Sequence, residues 1–405
     1  MSASPETRIA DRVRRIKLSP STAAADRASE LRRAGRSIVS LVVGEPDFDT
    51  PEHIRRAAAQ AMDKGATRYT LMAGTVDLRQ AIVDKLAREN GLRYGMDEIM
   101  VTSGAKSAIY SLFAATLQPG DEVIVPAPYW VSYPDMVLAS DGVPVTVACG
   151  ESAGFKLTPA QLEAAITPRS RWLLINSPSN PTGASYTHAE YSALAEVLRR
   201  HPHVMVMTDD IYEHIRFDGA ATPHLLQAAP DLRERTAAVN GVSKTYAMTG
   251  WRIGWVAAPR DLIKALDTLL SQSTGNCCSI SQAAAAAALN GDQSFVSRNV
   301  EIYRQRRDRT AANFNQIAGL SCPVPDGAFY LYVNCGGVIG KTTPQGQRLE
   351  SDTDVVMYLL DRVGVAVVAG TAYGLSPYFR VSIATSIENL DEGCRRIAQA
   401  VAELH

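Results

Sequence analysis

Cysteine is scarce: six are scattered through 405 residues, and the one pair, Cys277-Cys278, is adjacent rather than at metal-ligand spacing. A zinc site or a disulfide framework therefore does not organise this chain, and reduced thiols in a cytoplasmic setting are expected. Long apolar runs are missing too. None approaches the roughly 18 residues of a membrane span, and the N-terminus mixes Arg, Asp and Glu without the apolar segment of a secretion signal. Nor is there an excess of charge of either sign. With 41 Lys+Arg against 42 Asp+Glu the net charge is −1, which gives no electrostatic case for a nucleic-acid partner. Internal repeats and low-complexity segments are absent.

A composition of 46% hydrophobic and 20% charged residues belongs to a folded globular chain. Its length exceeds what one core fills, about 250–300 residues, so two domains are expected. Short apolar runs recur, and each ends in a small or polar cluster. Residues 38–43 run into Gly44, 99–102 into Ser103-Gly104-Ala105-Lys106, and 121–125 into a cluster ending at Trp130. Residues 172–175 run into a loop in which prolines and a glycine brace Asn180, and 204–207 end in Thr208-Asp209-Asp210-Ile211-Tyr212. Alternating with helical patterns, these runs predict an α/β fold: a doubly wound, mostly parallel sheet with ligands at the strand ends.

Most of the chemistry concentrates in the stretch from Gly241 to Gly254. It follows the apolar run 237–239 and places Lys244 just past a buried strand, with Arg252 eight residues later. An amine able to form a Schiff base beside a phosphate-binding guanidinium points to pyridoxal 5′-phosphate (PLP). Asp209 fits the same picture, because a carboxylate ending a buried strand needs a cationic partner and a protonated pyridine nitrogen is one. Small residues opening the helix after Gly104 expose amides suited to a phosphate. Arg380, set among Tyr378, Phe379, Val381 and Ile383, needs an anion, and a carboxylate is its natural mate.

Gly241, Lys244, Arg252, Ile253 and Gly254 occupy every constrained position of the PLP-lysine signature, and with them the chain resembles the class-I aminotransferases of the aspartate aminotransferase family. The motifs from Gly44 to Arg380 follow the family's order. The resemblance implies a fold-type-I PLP-dependent transferase built as a homodimer with shared active sites. Residues 1–50 would form an N-terminal arm and part of the small domain, 51–305 the large cofactor domain, and 306–405 the small C-terminal domain. It also implies roles. Lys244 carries the cofactor, Asp209 keeps its pyridine nitrogen protonated, Trp130 stacks on the ring, and Asn180 and Tyr212 meet its phenolic oxygen. Arg252, Gly104, Ala105 and Lys106 hold the phosphate, joined by Tyr69 from the partner subunit, and Ser243 is a further candidate for it. Gly44 and Arg380 receive the substrate's α-carboxylate, next to Trp130 and Asn180. Gly241 stands where the family often has a serine, which removes one phosphate hydroxyl.

The implied reaction moves an amino group between an amino acid, aspartate or glutamate, and a 2-oxo acid such as 2-oxoglutarate. Prephenate or aromatic amino acids are alternative substrates, and a PLP-dependent β-lyase is an alternative reaction on the same fold. No arginine lies in 271–278 to grip a distal carboxylate. Lys106 is the candidate instead, with a hydroxyl from Ser21 or Thr22, as in the aspartate/prephenate branch of the family. Two other patterns fail. The stretch from Cys335 to Thr342 lacks the first glycine of a P-loop, and His201-Pro202-His203 lacks further metal ligands.

Overall fold

The computed structural model describes residues 8–405. Twelve strands are distributed among three sheets. In chain order they are β1 (Val39–Ser40), β2 (Ile99–Thr102), β3 (Glu122–Ala127), β4 (Val143–Ala148), β5 (Ser170–Asn176) and β6 (Met205–Asp209). There follow β7 (Thr236–Gly241), β8 (Gly254–Ala257), β9 (Tyr330–Asn334), β10 (Val365–Ala366), β11 (Val368–Ala369) and β12 (Tyr378–Ser382).

The largest sheet has seven strands in the order β2-β8-β7-β6-β5-β3-β4, and β8 alone runs against the rest. Its central strands are buried on both faces, which is why they read as unbroken apolar runs rather than alternating ones. Helices cover both faces. One core cluster joins Leu78, Ile82 and Leu194 to the sheet, and another joins Ile109, Phe113 and Leu266 to its other side. The helix Val76–Asn90 illustrates the local rules. Thr75 caps it by accepting from the Leu78 amide at 3.3 Å, and Gly91 ends it at φ 65°.

A second, antiparallel sheet, β11-β12-β9, has its own core. β12 pairs Arg380 with Tyr332 on β9, and Leu41 and Ser382 tie the N-terminal segment to that sheet through a 2.8 Å backbone hydrogen bond. The short parallel pair β1-β10 lies alongside.

One apolar run is longer than the strand it forms. The run at 38–43 makes a ladder only at Val39–Ser40, because the chain then turns its backbone groups toward Arg380 and the crevice. Pro51 is the N-cap of the helix Glu52–Asp63. Strand β8 precedes the helices after Gly254, and β4 is a half-exposed edge strand that no buried apolar run announces.

Candidate active site

The carboxyl ends of β2, β3, β5, β6 and β7 converge on one cavity of about 250 Å³, closed from the other side by Gly44, Tyr330 and Arg380. Strand topology produces this convergence: parallel strands deliver their ends to the same edge, where ligands of open α/β sheets bind.

Lys244 lies in the turn after β7, with Nζ 2.7 Å from the Gly44 carbonyl. Burial pushes its pKa down to about 8, helped by Arg252 and Arg380 and opposed by Glu45. Asp209, 3% exposed at the end of β6, accepts from the Tyr133 hydroxyl at 2.5 Å. Burial raises its carboxyl to about 6, with Asp210 adding to the rise and Tyr133 opposing it. Trp130 and Tyr133 meet edge to face beside it, their ring centroids 5.3 Å apart.

Arg252 sits at φ 57°, a conformation a non-glycine side chain adopts at a cost, and donates to Thr249 O (2.7 Å) and Ser103 O (3.2 Å). Its guanidinium lies against Gly104, where φ is 87° and an added Cβ would collide with it. The helix Ala105–Thr116 begins there, so unpaired first-turn amides and a cation share one corner. Gly241 has no room for a serine, because a Cβ would stand 2.9 Å from the Ile253 carbonyl. Ser243 is the hydroxyl that lines the cavity instead.

On the opposite wall Arg380, 2% exposed, donates to Asn180 Oδ1 (3.1 Å) and Val42 O (2.5 Å). Its Nε has no partner among the described residues. Tyr330 and Tyr373 hold the guanidinium against their rings, at 4.5 and 5.3 Å from the centroids. Lys106 lines the same cavity, 5.1 Å from the centre of the Trp130 ring, and burial and Arg252 lower its pKa. Ser21, in the first turn of Pro20–Arg33, also lines it and lies 3.5 Å from the Tyr373 hydroxyl. Thr22 is exposed and outside it. Tyr69 is 96% exposed and stands apart from its own chain's cavity.

A model of the family "Aminotransferase class I and II" matches residues 36–397. The aspartate aminotransferase of Rhizobium meliloti (strain 1021) is 53% identical over 93% of this chain and 92% of that protein. The aspartate/prephenate aminotransferase of Cereibacter sphaeroides (strain ATCC 17029 / ATH 2.4.9) is 52% identical over 98% and 99%. Among solved structures, the Rhizobium meliloti aspartate aminotransferase superposes with a TM-score of 0.96 at 51% identity, covering 98% of this chain and 100% of that one. The Thermus thermophilus aspartate aminotransferase with maleate gives 0.89 at 40%, covering 97% and 99%. This chain belongs to the class I and II aminotransferases.

Enzymes of this family depend on PLP, and the cavity of this aminotransferase fits that group. It offers a lysine of lowered pKa, a buried carboxylate awaiting a cation, an indole face, and an anion corner where Gly104 leaves space.

Two tyrosines escape a reading of the sequence. Tyr133 and Tyr330 each sit in runs that look like packing, yet both line the cavity. Also hidden is a buried knot behind it. Lys85, fully buried, ion-pairs with Glu213, which accepts from Asn90 (2.8 Å) and Asn240 (2.5 Å). Burial opposes ionisation of Glu213, yet Lys85 and His214 hold its pKa down at about 2. His214 reaches Thr245 (3.2 Å) and Glu89 (2.8 Å), so the knot grips the residues flanking Tyr212 and Lys244.

Proposed function

We propose that this enzyme transfers the amino group of aspartate or glutamate to a 2-oxo acid such as 2-oxoglutarate, and that Lys244 is the residue that carries PLP. The observation that carries the substrate choice is a pair of cations. Arg380 and Lys106 line one cavity, and neither has a carboxylate partner among the described residues. Two unpaired cations suit a substrate with two carboxylates. The Thermus thermophilus relative solved with maleate, a dicarboxylate, supports the same reading. Prephenate is a second dicarboxylic candidate, favoured by the name of the Cereibacter sphaeroides relative.

PLP supplies the electron sink that makes the bond between the substrate's Cα and its hydrogen acidic. The chain's residues do the rest. Lys244 Nζ, easier to deprotonate because burial pushes its pKa down to about 8, takes the proton from Cα and returns it. The negative charge of the buried Asp209 carboxylate keeps a proton on the pyridine nitrogen. Trp130 stacks on the ring, and Asn180 and Tyr212 hydrogen-bond its phenolic oxygen. Arg252, Ser243 and the backbone at Gly104, Ala105 and Lys106 hold the phosphate. Arg380 and Gly44 take the α-carboxylate, while Lys106 with Ser21 takes the distal one. The partner subunit's Tyr69 completes the phosphate site. Its exposure alongside that of Leu71 and Val76 supports a homodimer. The domain division at 51 and 305 and a cytoplasmic setting belong to the same reading. A core cluster at the β11-β12-β9 sheet distinct from the two on the seven-stranded sheet favours the division, and six free thiols favour the setting.

The test has two arms. Lys244→Ala should abolish the visible absorption of the purified enzyme; an unchanged spectrum ends the assignment. Lys106→Ala should cost acidic substrates about 1.5–3 kcal/mol in kcat/KM while sparing alanine and phenylalanine. Equal losses for both kinds would return Lys106 to the phosphate.

A further inference from the structure

Tyr212 and Tyr330 share one hydrogen bond, hydroxyl to hydroxyl, at 2.8 Å, and both rings are buried. A phenol has a single hydrogen to give. Whichever ring donates within the pair leaves the other with its hydrogen free for a ligand. The electrostatics around the two rings are unequal. The Arg380 guanidinium lies 4.5 Å from the centre of the Tyr330 ring, where it favours negative charge on that phenol. Tyr212 has the Asp209 carboxylate nearby, which disfavours negative charge on it. Burial lifts both hydroxyls, Tyr330 to about 12 and Tyr212 well above the ordinary tyrosine value; Arg380 opposes the rise at both, while at Tyr212 the neighbouring Tyr330 and Asp209 add to it. Tyr330 is thus the better donor of the two.

We propose that Tyr330 is a positioning residue that donates to Tyr212 and thereby points the Tyr212 hydrogen into the cavity, toward the phenolic oxygen of the cofactor. This rests on the placement of Tyr212 proposed above. The arrangement leaves no slack, because the Tyr330 hydroxyl would stand 2.9 Å from any Cβ at residue 44, where the chain has glycine. An accepted hydrogen bond polarises the hydroxyl that accepts it, so Tyr330 also makes Tyr212 a stronger donor.

The experiment is a spectrophotometric pH titration of the holoenzyme and three variants: Tyr212→Phe, Tyr330→Phe and the double replacement. A donor to the phenolic oxygen favours the deprotonated chromophore, in which that oxygen is most negative, so losing the donor raises the apparent pKa. Tyr212→Phe should raise it by about one pH unit or more, the scale of a charge-assisted hydrogen bond. Tyr330→Phe, which keeps the ring against Arg380, should raise it in the same direction by less. The double variant should titrate like Tyr212→Phe alone, because the two act through one bond. If Tyr330→Phe merely lowers the melting temperature and titrates as wild type, the role of Tyr330 is overturned while that of Tyr212 stands. Additive shifts in the double variant would overturn it equally. No shift in Tyr212→Phe would remove the placement of Tyr212, and the inference with it.

Discussion

Replacing Asp209 by Asn should make the cofactor-free protein more stable. Asp209 is 3% exposed, and burial lifts its carboxyl from an ordinary 3.8 to about 6. A rise of about two pH units, at about 1.4 kcal/mol each, puts the cost of ionising it in the folded chain at about 3 kcal/mol. The sign follows from proton affinity. The folded carboxyl binds its proton more tightly than the unfolded one, so stability falls as pH rises from about 4 to about 6, and the full cost persists above that. Asparagine still accepts from Tyr133 but carries no charge. Denaturant unfolding of cofactor-free wild type and Asp209→Asn should therefore diverge by about 3 kcal/mol near pH 8 and converge near pH 4. Added PLP should reverse the order, because a pyridinium is the partner that only the carboxylate can use. Parallel stability curves across that pH range would refute the argument.

Other outcomes follow from single contacts. Arg380→Ala should weaken all amino-acid substrates alike, by about tenfold or more in steady-state kcat/KM, since each presents the same α-carboxylate. Gly104→Ala should loosen cofactor binding in equilibrium dialysis, because its Cβ displaces the Arg252 guanidinium and its φ of 87° strains any side chain. Lys85→Met should cost about 3–5 kcal/mol in thermal unfolding by taking the closest cation from the buried Glu213, and adding Glu213→Gln should recover part of the loss.

The parts of this molecule that sequence reveals are those where a residue contradicts its neighbours. Buried strands appear as unbroken apolar runs, and Asp209, Lys244 and Arg380 stand out because each interrupts or ends one. Asp209 and Lys244 meet in one cavity because of parallel topology, which the alternation of runs and helices also announces, whereas Arg380 reaches it from the antiparallel sheet. What stays hidden agrees with its neighbours or depends on distant ones. Tyr133 and Tyr330 look like core residues and are core residues, yet both also line the cavity. Lys85 and Glu213 each read as solvated charges, and 128 positions of chain separate them before folding makes them a pair. Edge strand β4 is half exposed, so no apolar run marks it, and β1 is cut short by contacts that only the folded crevice supplies.

The knot of Lys85, Glu213, Asn240 and His214 secures the segments bearing Tyr212 and Lys244 from outside the cavity. Ser21 and Lys106 take no part in it; they reach the cavity from helix starts elsewhere in the chain. On the roles proposed for Ser21 and Lys106, selectivity and reactivity therefore have separate foundations. Side chains that choose between substrates can be exchanged without disturbing the anchors of the reacting groups, so re-engineering this enzyme for a new amino donor should begin at those two helix starts.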